Sequence, residues 1–136
     1  MKALTVWQPW ASLLALGMKR YETRGWLTSY RGPLAIHAGA KRDGVVHAVC
    51  GIEPFCSILA EHGFAGPAEL PYGAVIAVGE LVACHPVETL KLSKLERAVG
   101  DFSEGRFAWE FANVRMLDTP IPARGWHQLW DWEEPS

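Results

Sequence analysis

Cysteine is scarce. Three cysteines in 136 residues, an odd number, argue against a disulfide framework. No apolar run approaches the roughly 18 residues needed to cross a bilayer, so no membrane partner is expected. The opening MKALTVWQPW has one lysine and no continuous apolar stretch, unlike a secretory leader, and a cytoplasmic location is the expectation. The loops G-x-x-x-x-G-K-[ST], G-x-G-x-x-G and G-x-S-x-G are missing, which removes support for NTP hydrolysis, dinucleotide binding and lipase-type chemistry. No cofactor is expected. His47, Cys50, Cys56 and His62 form H-x2-C-x5-C-x5-H, which is not the paired spacing of a zinc site. The H-x-E…P-C-x-x-C pattern of zinc deaminases is also missing, and no metal is expected. Repeats, low-complexity segments and linkers are lacking, so residues 1–136 read as one domain.

Positive charge is not in excess either. The net charge of −2 lacks the global signature of a nucleic-acid-binding protein. Its distribution is uneven. Residues 1–42 hold seven basic residues and one acid, Glu22, whereas residues 43–136 hold six basic and fourteen acidic residues. Such polarity either presents one cationic mouth or is interleaved by folding.

What is present is a large apolar fraction, 49 %, enough for a buried core in a chain of this length. Ala3 to Val6 reads as a strand. Pro9 suits a helix's first turn, Ala11 to Leu16 continue it and Gly17 closes it. That helix is apolar nearly all round and therefore buried. Tyr21 to Trp26 alternates, placing Glu22, Arg24 and Trp26 on one face. Pro33 to Ala38 is a short strand. Residues 43–62 are helical but broken at Pro54, and Gly63 to Pro71 is a loop. Tyr72 to Cys84 is a strand apolar on both faces. Residues 88–99 are a helical or loop insertion. Arg106 to Val114 alternates, with Phe107, Trp109 and Phe111 opposite Arg106 and Glu110. Residues 118–125 read as a proline-rich crossing and Trp126 to Trp132 as an aromatic tail. Short strands and short helices in one small chain predict an α+β fold with a compact barrel.

The stretch WQPWASLLALGMKRYETRGW, residues 7–26, concentrates the candidate chemistry. Lys19 and Glu22 are candidate catalytic residues, with Arg24 beside them as a substrate-binding residue. Two cations and a carboxylate can bind an anion, read a base edge or move a proton, or form a plain surface ion pair. Glu80 is a third catalytic candidate. It shares a strand face with Ile76, Val78, Val82 and Cys84, and inside such a row it needs a cation such as Arg24 or Lys19; a half-buried strand edge would need none. Trp7 and Gln8 are candidate binding residues, because an indole stacks on a base and an amide pairs with a base edge. His37, ending LAIHA, is a further candidate, though a lone histidine is usually structural.

These residues resemble the ASCH domain family. Gln8-Pro9-Trp10-Ala11, then Gly17, Lys19, Glu22, Arg24 and Trp26 in G-x-K-x-x-E-x-R-x-W, then Arg31-Gly32 and Ile36-His37-Ala38 match its pattern. RFAWEFANVRMLDTPIPARGWHQLW resembles its closing strand and tail, so the resemblance covers essentially the whole chain. It implies a PUA-like β-barrel flanked by short helices, and a cleft lined by the G-x-K-x-x-E-x-R segment that binds single-stranded RNA or a modified nucleoside or nucleotide. It also implies two alternatives. One is hydrolysis, as in an N4-acetylcytidine amidohydrolase or a ribonuclease. In the amidohydrolase the lysine is the base and a threonine three residues later the nucleophile. Lys19 matches the lysine, but Glu22 stands at the threonine's position. That leaves a water-mediated reaction with Glu22 or Lys19 as base and Arg24 stabilising the oxyanion. The other is a protein-interaction role in transcription coactivation, through a patch of Trp126, Trp130 and Trp132.

Overall fold

The computed structural model describes residues 1–135. Its elements in chain order are β1 (Lys2–Val6), α1 (Trp10–Ala15), β2 (Tyr21–Arg24), β3 (Gly32–Ala38), α2 (Gly44–Cys50), α3 (Phe55–Glu61), β4 (Ala74–Pro86), α4 (Lys94–Ala98), β5 (Phe107–Pro122) and β6 (Leu129–Asp131), with two 3-10 turns at Pro67–Glu69 and Val87–Thr89. The strands form one mixed sheet in the order β2-β5-β4-β3-β1-β6. The β1–β3 pair is parallel and the other pairs are antiparallel. With four short helices, this curled half-barrel is an α+β fold of the PUA-like kind.

Curling has visible causes. Register shifts interrupt β3 once and the β4–β5 pair three times, and each bulge adds local twist. The curl brings β2 back to β1, four places away in the sheet: Arg24 Nη2 donates to the Thr5 carbonyl at 2.7 Å. Inside the curl, α1 packs Ala11, Leu14 and Ala15 against Leu4, Ile36, Trp109 and Phe111. A second cluster joins Leu13 to Val46, Phe55 and Leu59 of α2 and α3. A third covers the opposite sheet face with Ala3, Ala35, Val75, Trp130 and Trp132.

Helix α1 is short because both ends are closed. At its start the buried Gln8 side chain accepts from Ser12 N at 3.0 Å. At its end Gly17, with φ +76°, donates to Leu14 O, while Met18 donates to Leu13 O. That pair of bonds is a Schellman motif.

Three expectations change. Residues 118–122 continue β5 as far as Pro122 instead of forming a crossing. Its Pro120 and Pro122 are tolerated because β2 pairs only with Phe107–Glu110, leaving that side of the strand's far end open. Trp26 lies past the end of β2, edge-to-face with Trp109 at 4.7 Å. Trp130 and Trp132 are core residues, so no three-tryptophan patch exists and Trp126 alone of these is exposed.

Gly79 faces the neighbouring strand so closely that a Cβ would sit 2.9 Å from Val114 Cγ2. Gly79→Ala is expected to lose about 1–3 kcal/mol in urea unfolding. Adding Val114→Ala should recover part of that loss; no recovery would place the strain elsewhere.

Candidate functional site

The Schellman turn delivers Lys19 to the start of β2 with its side chain buried. Lys19 Nζ lies 3.4 Å from Glu96 Oε2 and 5.4 Å from the centre of the Phe102 ring. Gly100 leaves room for it, since a Cβ there would come within 2.7 Å of Nζ. Glu96 belongs to α4, whose N-cap Ser93 accepts from Glu96 N at 3.1 Å. In a capping box the glutamate would reach back to the cap's own N–H. Here it instead accepts from Arg20 N at 2.6 Å and pairs with Lys19. One carboxylate thus ties α4 to the α1–β2 turn.

Along β2, Glu22 and Arg24 form the expected same-face pair at 2.9 Å. Arg106, just before β5, donates Nη2 to Thr23 O at 3.0 Å and lies 3.4 Å from Asp101. Hydrogen bonds from Ser103 hold the Asp101 carboxyl below the usual range, helped by the Arg106 charge. These groups surround a cleft of about 490 Å³. Lys19, Glu22, Thr23, Arg24, Asp101 and Arg106 form its polar wall, and Trp10, Val49, Ile52 and Phe55 its apolar wall. Trp7 stands at its edge, half exposed, with Lys41 Nζ 3.5 Å from its ring centre. The Nε atoms of Arg24 and Arg106 are buried without an aligned hydrogen bond among the described residues, and Arg106 Nε faces Asp101 Oδ2 at 3.4 Å.

The structure therefore brings together Lys19, Glu22, Arg24 and Trp7, and leaves three candidates outside. Gln8 spends its amide on Ser12 and on the Pro71 carbonyl, 2.9 Å away, so it has no edge to offer a base. Glu80 is exposed and contacts neither Lys19 nor Arg24. Ile76 and Ala77 both pack on the α1 cluster, a break in alternation that turns Val78, Glu80 and Val82 to the opposite face. His37 is buried in a network of its own. Its Nε2 donates to Ala123 O at 2.7 Å, so neutral Nδ1 accepts from Thr5 Oγ1 at 3.1 Å. Thr5 in turn accepts from Trp130 Nε1.

Sequence reasoning missed Glu96 and Arg106 as site residues. Glu96 had a signal, the S-x-x-E of Ser93 to Glu96. Arg106 had none beyond its place on a polar strand face. The early excess of positive charge is largely interleaved by folding: Lys2 pairs with Asp131 and Arg20 with Glu110, as Lys19 does with Glu96.

Two outcomes are expected. Lys19→Met leaves Glu96 buried without its cation and should cost about 3 kcal/mol in urea unfolding. Lys19→Met combined with Glu96→Gln should recover much of it. Burial also pushes the His37 pKa down from its ordinary value, so the unfolded chain binds this proton more readily. The His37 contribution to stability is then complete above about pH 6.5 and falls as pH drops below that value. Unfolding midpoints near neutrality and about two units lower should diverge more for the wild type than for His37→Gln.

The comparisons with known proteins bear on the family. The family model of the ASCH domain matches residues 4–121. Activating signal cointegrator 1 of Homo sapiens is 29% identical over 127 residues, covering 93% of this chain and 21% of that protein. Its Mus musculus counterpart is 28% identical over the same length and shares. The chain thus spans about a fifth of the length of these curated relatives. With a match over most of its length, the chain belongs to the ASCH domain family.

Proposed function

We propose that the chain binds an unpaired RNA base or a modified nucleoside in the cleft beside Trp7. The observation that carries this reading is one cleft whose lining combines the rings of Trp7 and Trp10 with the charged side chains of Glu22, Arg24 and Arg106. The cleft's roughly 490 Å³ falls within the range of small-molecule sites. One wall is apolar and the other polar, which suits a planar base with apolar faces and a polar edge. The ASCH resemblance supports the same ligand class.

A hydrolytic reading is favoured by a different observation. The Glu22 side chain is only 12% exposed, and Glu22 borders the cleft together with Thr23 and Lys19. Lys19 is paired with Glu96 and Glu22 with Arg24; of the two, the carboxylate is the group able to accept a proton from an attacking water. The relatives' name, Activating signal cointegrator 1, suggests a partner protein in those longer chains. A role of that kind here would need a face other than the C-terminal tryptophans.

Calorimetric titration with nucleosides, acylated nucleosides and short single-stranded RNAs tests the binding reading. Trp7→Ala should weaken the best ligand by about 1–3 kcal/mol while leaving the melting temperature unchanged. No binding by the wild type would sink the reading. Mass spectrometry of the same mixtures decides turnover: product that disappears in Glu22→Gln makes the chain a hydrolase, whereas binding without product makes it a reader.

A further inference from the structure

Helix α1 separates two cavities. Trp10 borders the cleft, whereas Ser12 and Ala15 border a pocket of about 270 Å³ that shares no lining residue with the cleft. The loop before β4 forms one side of this pocket and the far half of β5 another. Phe64, Leu70, Ile76 and Leu117 contribute to its apolar wall.

Ser12 is its buried polar group, only 2% exposed. Gln8 decides how the Ser12 hydroxyl is used. Ser12 N donates to Gln8 Oε1 at 3.0 Å, which identifies the amide oxygen. The amide nitrogen donates to Ser12 Oγ at 2.8 Å and to Pro71 O at 2.9 Å. Both amide hydrogens are thereby spent, and Ser12 Oγ is the acceptor in its bond with Gln8. A hydroxyl also carries one hydrogen to donate, and that of Ser12 meets no acceptor among the described residues. Because Ser12 borders the pocket, an acceptor placed there would take it. A water is a poor candidate, since a buried water needs about two to four polar partners.

The remaining polar lining is acidic. Glu69 and Asp118 are exposed, which places them at the mouth. Neither makes an ion pair among the described residues, and no lysine or arginine lines the pocket. Such a mouth disfavours anions.

We infer that this pocket binds a small uncharged molecule, a ring or branched chain carrying one carbonyl-type acceptor for the Ser12 hydroxyl. The size follows from the volume. An apolar cavity of about 150 Å³ already holds benzene, so 270 Å³ takes a ring with one substituent. The site is independent of the base-binding reading of the cleft.

The test titrates acetophenone, ethylbenzene and benzoate into the wild type and Ser12→Ala, followed by methyl NMR. Signals of Ala15, Ile76 and Met116 report the pocket, and those of Val49 and Ile52 the cleft. Acetophenone should shift the pocket signals with a Kd of about 1 mM or below. Benzoate should bind at least about tenfold more weakly. Ser12→Ala should weaken acetophenone by about three- to tenfold, the worth of one hydrogen bond, and leave ethylbenzene unchanged. Acetophenone shifts confined to the cleft signals, or none at all, would overturn the site. Equal acetophenone affinity in wild type and variant would overturn the role of Ser12, and benzoate bound as tightly would overturn the charge selection. Should Ser12→Ala not fold, the carbonyl carbon shift of acetophenone bound to the wild type decides. A value near that in alcohol supports the hydroxyl contact, and one near that in hydrocarbon overturns it.

Discussion

Arg24 is the residue on which the arrangement turns. A six-stranded sheet that curls without closing leaves its first and fifth strands facing each other across a gap. Arg24 spans that gap, donating to the Thr5 carbonyl while its guanidinium stays paired with Glu22. The same side chain holds the curl and forms part of the cleft wall, so the cleft's width depends on the seam's geometry. Five donors on a planar group allow both duties; a lysine has neither the planar fork nor the fixed geometry to perform them together.

A second constraint runs through Glu96. The α1–β2 turn is irregular backbone carrying a buried lysine, and its stability depends on a carboxylate from far along the chain. Glu96 supplies one oxygen to the Arg20 amide and the other to Lys19. Helix α4 is only five residues long and is held mainly by what it grips. Gly100 and Phe102 complete the packing around the same ammonium. The insertion that carries them is thus part of the site's support.

Much of this was readable from the residues. The apolar runs, the Gly17 stop and the Pro54 break all announce their elements, because local periodicity and backbone preference act over a few residues. The Glu22–Arg24 pair followed from strand alternation alone. Gln8 was misread because an amide beside a helix start has two uses, and only the fold shows that Ser12 and Pro71 have claimed it. Glu80 was misread because alternation fixes which residues share a face, while the bulges decide which face is inside. The seam itself left no signal: its acceptor is a backbone carbonyl, which every residue possesses.

The sheet's other margin has a different consequence. β6 pairs with β1 so that Lys2 meets Asp131, and the Met1 amino group donates to the Trp132 carbonyl at 2.7 Å. The chain therefore enters and leaves the fold at nearly the same point. A unit with that geometry can be spliced into a surface loop of a larger protein without stretching its host or itself. In the curated relatives the matched segment is about a fifth of the whole.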